Sequence, residues 1–163
     1  MFAFPLLPFM TYLRFMKIIF GVLLTVLFCA CNTDVCNQKT AWPAQVGMYT
    51  KTLLAKDSLT MLDSVSAWAL DKALFYKNLK LNKMELPLSI LCDSSVFVLQ
   101  IKSIKDTVKI MHSNTTYFMS KQCGYGSEQV IDTVFYTTHK LKSITLSNAQ
   151  ADKNDKQNLA FHY

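Results

Sequence analysis

Five cysteines and three histidines are the residues of this 163-residue chain able to do more than pack. Beyond position 30 they are Cys31, Cys36, Cys92 and Cys123, with His112, His139 and His162. A Cys123 thiolate with His112 or His139 as its base would make a nucleophilic pair. Cys92 or Cys123 could also serve thiol redox chemistry. Against both stands disulfide formation, since a bonded Cys123 cannot attack. In an oxidising compartment a long-range pair is the default, and Cys36 with Cys123 is the pair expected. It closes 88 residues, which the chain-entropy model values at about 4 to 5 kcal/mol. Cys92 is then expected as a buried thiol on or near a strand. The alternative leaves Cys36, Cys92 and Cys123 all buried and reduced.

Other catalytic patterns are absent. The sequence has no G-x-S-x-G elbow, no phosphate-binding loop, no H-E-x-x-H and no EF-hand loop. Its histidines are isolated in sequence from one another and from carboxylates. No catalytic residue, metal ligand or cofactor is assigned, and an enzyme is not expected.

Cys31 has a different chemistry, set by what precedes it. Arg14 and Lys17 lead into an uncharged run of 13 residues, 18–30. A membrane-spanning helix needs roughly 20 apolar residues, whereas the core of an export signal needs only about 7 to 15. Ala30 directly before Cys31 resembles the lipobox of bacterial lipoproteins, in which the cysteine is acylated after cleavage. Phe28 and Cys29 depart from the usual residues of that pattern. The alternative is ordinary cleavage near Ala30 with Cys31 left free. Residues 1–30 are therefore expected to be a signal peptide, with Met16 a candidate true start. Residues 31–42 form the lipid attachment and a short tether, and residues 43–163 form one domain.

Past the signal, 15 lysines face 11 acidic residues, and no arginine remains. Arginine is the usual bidentate reader of phosphate and guanine, and the lysines are scattered from Lys39 to Lys156. This argues for a solvated surface and against a nucleic-acid partner.

The elements that must position these residues read as strands. Residues 44–50 alternate, and 96–101 place Val96, Val98 and Gln100 on one face and Phe97, Leu99 and Ile101 on the other. Further strands are expected at 65–70, 107–112, 116–120, 130–137, 141–146 and 158–162, with turns near 103–106 and at Asn114. Residues 56–64 read as a charged connection and 147–157 as an exposed loop. Helical spacing competes with strand over 53–76. Pro87 confines its apolar run to a sheet edge or strand end. Short strands at this spacing give an all-β class, an antiparallel β-sandwich, immunoglobulin-like or related, of about 7–9 strands behind a signal-peptide helix.

Cys123-Gly124-Tyr125-Gly126 is the most distinctive local motif, a tight turn pinned by a disulfide. A ligand-binding loop is the alternative, with no convergent polar groups to support it. Cys31, the second cysteine at Cys36, the run Glu85-Leu86-Pro87-Leu88 and this motif together resemble a group of small lipoproteins of unknown function from Bacteroidetes-type bacteria. The resemblance covers most of residues 31–163. It implies a cell-envelope β-sandwich and transfers no catalytic residue. Ser58, Ser64, Thr107 and Thr133 each sit in an Asp-Ser/Thr-apolar tripeptide that looks like the O-glycosylation acceptor pattern of exported Bacteroidetes proteins. The expectation is an outer-membrane lipoprotein, periplasmic or surface facing. It would be a binding or structural module with an envelope protein or glycan as partner.

Overall fold

The computed structural model describes residue 36 and residues 38–51, 57–70 and 74–163, together with Met16 and Phe20. The unit from Cys36 to Tyr163 is built from strands, β1 (Ala44–Lys51), β2 (Asp57–Leu59), β3 (Leu62–Ala69), β4 (Leu74–Leu81), β5 (Lys83–Leu86), β6 (Ser94–Ile101), β7 (Ile104–Ser120), β8 (Gly124–Tyr136), β9 (Ser143–Leu146), β10 (Gln150–Ala151) and β11 (Leu159–His162). They form a sandwich. The larger sheet runs β10-β8-β7-β6-β3-β4, and the smaller runs β2-β1-β11-β9 with β5 also on β1. All pairings are antiparallel except β1 with β11, which makes the smaller sheet mixed.

Period-two alternation drives the packing. Along β6 the residues at 95, 97, 99 and 101 are buried and those between are half-buried. Phe97, Leu99 and Ile101 therefore join Val108 and Ile110 of β7 and Ile131 of β8 on one inner face. Val46 and Met48 of β1, Met84 and Leu86 of β5, and Leu159 and Phe161 of β11 form the facing layer. Each fully buried large side chain contributes about 1.5 to 3 kcal/mol relative to exposure. β5 ends one residue before Pro87, as a ring without an N–H requires.

Several expectations are corrected. Among the described residues the strands number eleven, because short β2, β5 and β10 form in stretches read as connections or run-ends. Asn114 does not turn the chain. β7 runs through it for 17 residues, with a register shift at Met111/His112, and the reversal falls after Ser120. Asn114 uses its side-chain amide to hold the carbonyl of Cys92 at 3.1 Å, where a turn would have used it locally. Residues 147–157 are not a free loop. β10 pairs with β8 and buries Ala151. Asn158 braces the same stretch, its amide donating to the carbonyls of Asn148 and Gln150 and its Oδ1 accepting from the Gln45 N–H. The helical reading of 53–76 gives way to β2, β3 and the start of β4 wherever residues are described.

Candidate functional site

One end of the domain concentrates the distinctive residues. β6 stops pairing with β7 at Met111, opposite Ser94, while β7 and β8 continue to pair with each other as far as Ser120 and Gly124. The six residues of β7 past Asn114 extend about 20 Å as an arm. No apolar residue between positions 112 and 130 joins the buried core. The arm closes on residues 121–123, where the Cys123 N–H is held by the Ser120 hydroxyl and Gly124 adopts φ 68°. That left-handed value suits glycine, which has no Cβ to clash.

Cys123 is bonded to Cys36, with Cα atoms 4.9 Å apart. The chain from Cys36 then runs beside β8. Ser127 donates its N–H to the Thr40 carbonyl at 2.7 Å, and Ala41 bridges Ser127 in parallel. The described domain therefore begins, at Cys36, at the tip of the arm. With its sulfur in a disulfide, Cys123 offers no thiolate to a base. His112 lies buried at the arm's root, its Nε2 3.0 Å from the Ser95 hydroxyl. Burial pushes His112 below its ordinary value, opposed by Asn114 and by the charges of Asp93 and Asp132.

Beside the arm's root lies a double groove. Two cavities, of about 440 and 480 Å³, share Phe75 and Pro87 on their walls. Trp42, Tyr76 and Leu88 line the first, with Lys39 and Glu85 at its polar side. Leu70, Phe97 and Cys92 line the second. Tyr76 also ties the sheets together here, accepting from the Glu85 N–H and donating to the Glu85 carbonyl. Lys39 stands 5.7 Å from the centre of the Trp42 ring, and the buried indole N–H of Trp42 has no partner. Cys92 is not the buried thiol expected. It is free and exposed, because residues 87–93 cross the end of the sandwich as a loop and do not enter a strand. Its neighbour Leu91 is 89% exposed.

The opposite end is organised by Asp106, which the sequence marks only as the end of a turn and the start of an acceptor tripeptide. Its carboxylate is 4% exposed. Oδ1 accepts from the His139 N–H and the Thr137 hydroxyl, with His139 Nδ1 3.2 Å away, while Oδ2 accepts from the N–H groups of Lys140 and Leu141. Burial alone would raise its pKa, but the amides of Leu141, His139 and Lys140 and the Thr137 hydroxyl outweigh that and hold it below the ordinary carboxylate value. Tyr163 is half-buried nearby, with its hydroxyl enclosed. Its desolvation and the Asp106 charge push its hydroxyl above the ordinary phenol value. His139 is thus at the far end from Cys123. The signal available for Asp106 was its place at the start of a strand, where a short acceptor side chain meets loop amides.

The other predicted positions scatter. Ser58 is exposed on β2 and Thr133 exposed on β8. Ser64 is half-buried at φ 58°, and Thr107 is half-buried with its N–H donated to the Thr137 hydroxyl. His162 stands 3.5 Å from Asp57 and 3.3 Å from the Thr145 hydroxyl. Cys31 and, apart from Met16 and Phe20, the signal stretch lie outside the described residues. Among the described residues no cluster of three or more His, Cys, Asp or Glu side chains could hold a metal ion. No described helix is long and apolar enough to cross a membrane.

A disulfide-stapled β-sandwich with a projecting arm and an apolar groove is the class of protein that fold and site define. Residues 63–163 match the model of a family of unknown function, DUF6452, and the chain belongs to that family. No curated protein and no solved structure matches it.

Proposed function

We propose that the chain is an exported cell-envelope protein held to its membrane by acyl chains on Cys31. Its domain acts as a binding module whose groove around Phe75 and Pro87 receives a segment of a protein partner. The observation that carries this reading is the groove itself. Concave, largely apolar sites with a few fixed polar groups are where ligands are bound, and this one holds an unpartnered indole N–H at Trp42. A glycan would present many hydroxyls needing partners. The wall here offers exposed, aliphatic Leu70 beside Phe75 and Pro87, which suits the apolar side chains of a polypeptide. The free edge of β4 is a poorer docking strand, since it carries Lys77 and Lys80, bulges against β3 and turns Asn78 to φ 51°. The Cys36–Cys123 bond fits an oxidising compartment.

The test is a photo-crosslinking amino acid in place of Leu70 in intact cells. The expected result is one discrete protein adduct that disappears when Phe75→Ser is added. No adduct, or one indifferent to Phe75→Ser, overturns the reading. Intact mass of the mature chain reads the acyl groups and any sugar on Ser58 or Thr133, and Cys31→Ser is expected to release the protein from membranes. A second reading, a thiol protein acting through Cys92, draws on the exposure of that sulfhydryl at the groove wall. It requires that Cys92→Ser abolish function with the adduct intact.

A further inference from the structure

The arm carries an aromatic face that nothing in the described domain covers. Phe118 and Tyr125 oppose each other in register and meet edge to face with ring centres 5.6 Å apart, yet they are 59% and 68% exposed. They continue a particular face. Two and four residues back along β7 from Phe118 the same side holds Thr116 and Asn114, whose partners on β8, Ser127 and Gln129, are both buried. The face that is core-side within the sandwich thus runs on past its end with its apolar side chains bare.

The chain's own path says what meets that face. Cys36 is bonded to Cys123, two residues from Tyr125, so the segment leading to Cys31 departs from the arm's tip. Five residue steps span at most about 17 Å. If Cys31 is acylated, the bilayer surface lies within that reach of the tip. Exposed Lys121 stands at the same tip, where an ammonium can sit among lipid phosphates. Tyr125 has the ring with one polar edge that settles at the head-group level of a membrane, and Phe118 beside it is the apolar ring that interfacial segments bury just below that level.

We propose that the arm is a membrane foot. Phe118 and Tyr125 rest in the interface of the bilayer that holds Cys31, so the domain stands at a fixed height and does not swing on its tether. The inference rests on the acylation of Cys31. The occupant is the lipid interface; a second copy of the chain on the same face would be a different arrangement.

The experiment reconstitutes the acylated full chain in vesicles of phosphatidylethanolamine and phosphatidylglycerol containing lipids brominated near the head group. Three versions are compared: wild type, Phe118→Trp, and Phe135→Trp, the last placing a tryptophan at an exposed position on the sandwich part of β8. The emission added by Phe118→Trp is expected to shift to the blue and be quenched by the brominated lipids, while that added by Phe135→Trp is not. Tyr125→Trp is expected to repeat the Phe118→Trp result, which guards against one variant misfolding. If the protein carries acyl groups by mass and floats with the vesicles but neither arm tryptophan is quenched, the foot is overturned and the anchor stands. Quenching that is replaced by a dimer on cross-linking in detergent-free solution overturns it in favour of a second copy. Absence of acylation by mass overturns the anchor and the foot together.

Discussion

The two ends of this domain fasten their loose chain in opposite ways. At the Asp106 end, a single buried carboxylate collects the amides of residues 139–141 and the Thr137 hydroxyl, and binds a loop to the sandwich without a covalent link. At the arm end, a disulfide joins Cys36 to Cys123. The difference follows from what surrounds each. Asp106 lies between Ile104 and Val108 at the margin of the core, where water is excluded and charge-assisted hydrogen bonds gain strength. The arm has no core. Lys121 and Gln122 of its turn are exposed, and there a bond indifferent to water fixes Cys36, while the Ser127 N–H holds the Thr40 carbonyl farther along.

This contrast can be broken in order of size. Replacing the bridge by Cys36→Ser with Cys123→Ser is expected to lower stability by about 4 kcal/mol, since an 87-residue separation is released in the unfolded chain. Urea unfolding measures the loss. Hydrogen exchange should show the amides of residues 115–127 opening first while β6 stays protected. A loss below about 1 kcal/mol would mean that the arm end needs no staple.

Asp106→Ala is expected to cost about 3 kcal/mol, because it strands three loop amides that were bonded to a charged acceptor. Its pH dependence sharpens the comparison. The folded-state pKa lies below the ordinary 3.8, so in acid the unfolded chain binds the proton first. The stabilisation from Asp106 is therefore complete above the unfolded value and is lost as pH falls through the folded one. Wild type should lose stability steeply below about pH 4, and Asp106→Asn should flatten that slope while leaving the disulfide-dependent part unchanged. Equal slopes in the two proteins would place the acid-labile group elsewhere.

The smallest expected effect is at the arm's turn. A Cβ added at Gly124 meets nothing within 4 Å, so Gly124→Ala pays only the left-handed backbone cost at φ 68°. About 1 kcal/mol is expected, with Gly124→Asn closer to wild type. Thermal unfolding of the three proteins checks it.

Much of this was legible beforehand because it depends on neighbours in sequence. β6 announced both its faces, since residues 96–101 alternate and a pleated strand sends successive side chains to opposite sides. Cys123 and Gly124 announced a turn, which falls at residues 121–123, whereas Gly126 of the same motif pairs with Tyr117 inside β8. Asn114 misled, because an asparagine between polar residues satisfies the local rule for a turn, and only the loop carbonyl of Cys92 arriving from 22 residues away gives its amide another use. Cys92 misled in the reverse direction: expected as a buried thiol on or near a strand, it lies exposed in the loop that crosses the end of the sandwich, next to exposed Leu91.

By itself the sequence determined the class of fold and the positions of most strands, which follow from period-two patterning and turn chemistry, and it made Cys36–Cys123 the favoured pair without excluding three reduced cysteines. The tertiary structure decided the rest. Among the described residues it selected Asp106 as the buried acid. It separated His139 from Cys123, and it brought Trp42, Phe75 and Pro87 to one groove. Those choices depend on which strands become neighbours across the two sheets, a property of long-range pairing that no short window of residues contains.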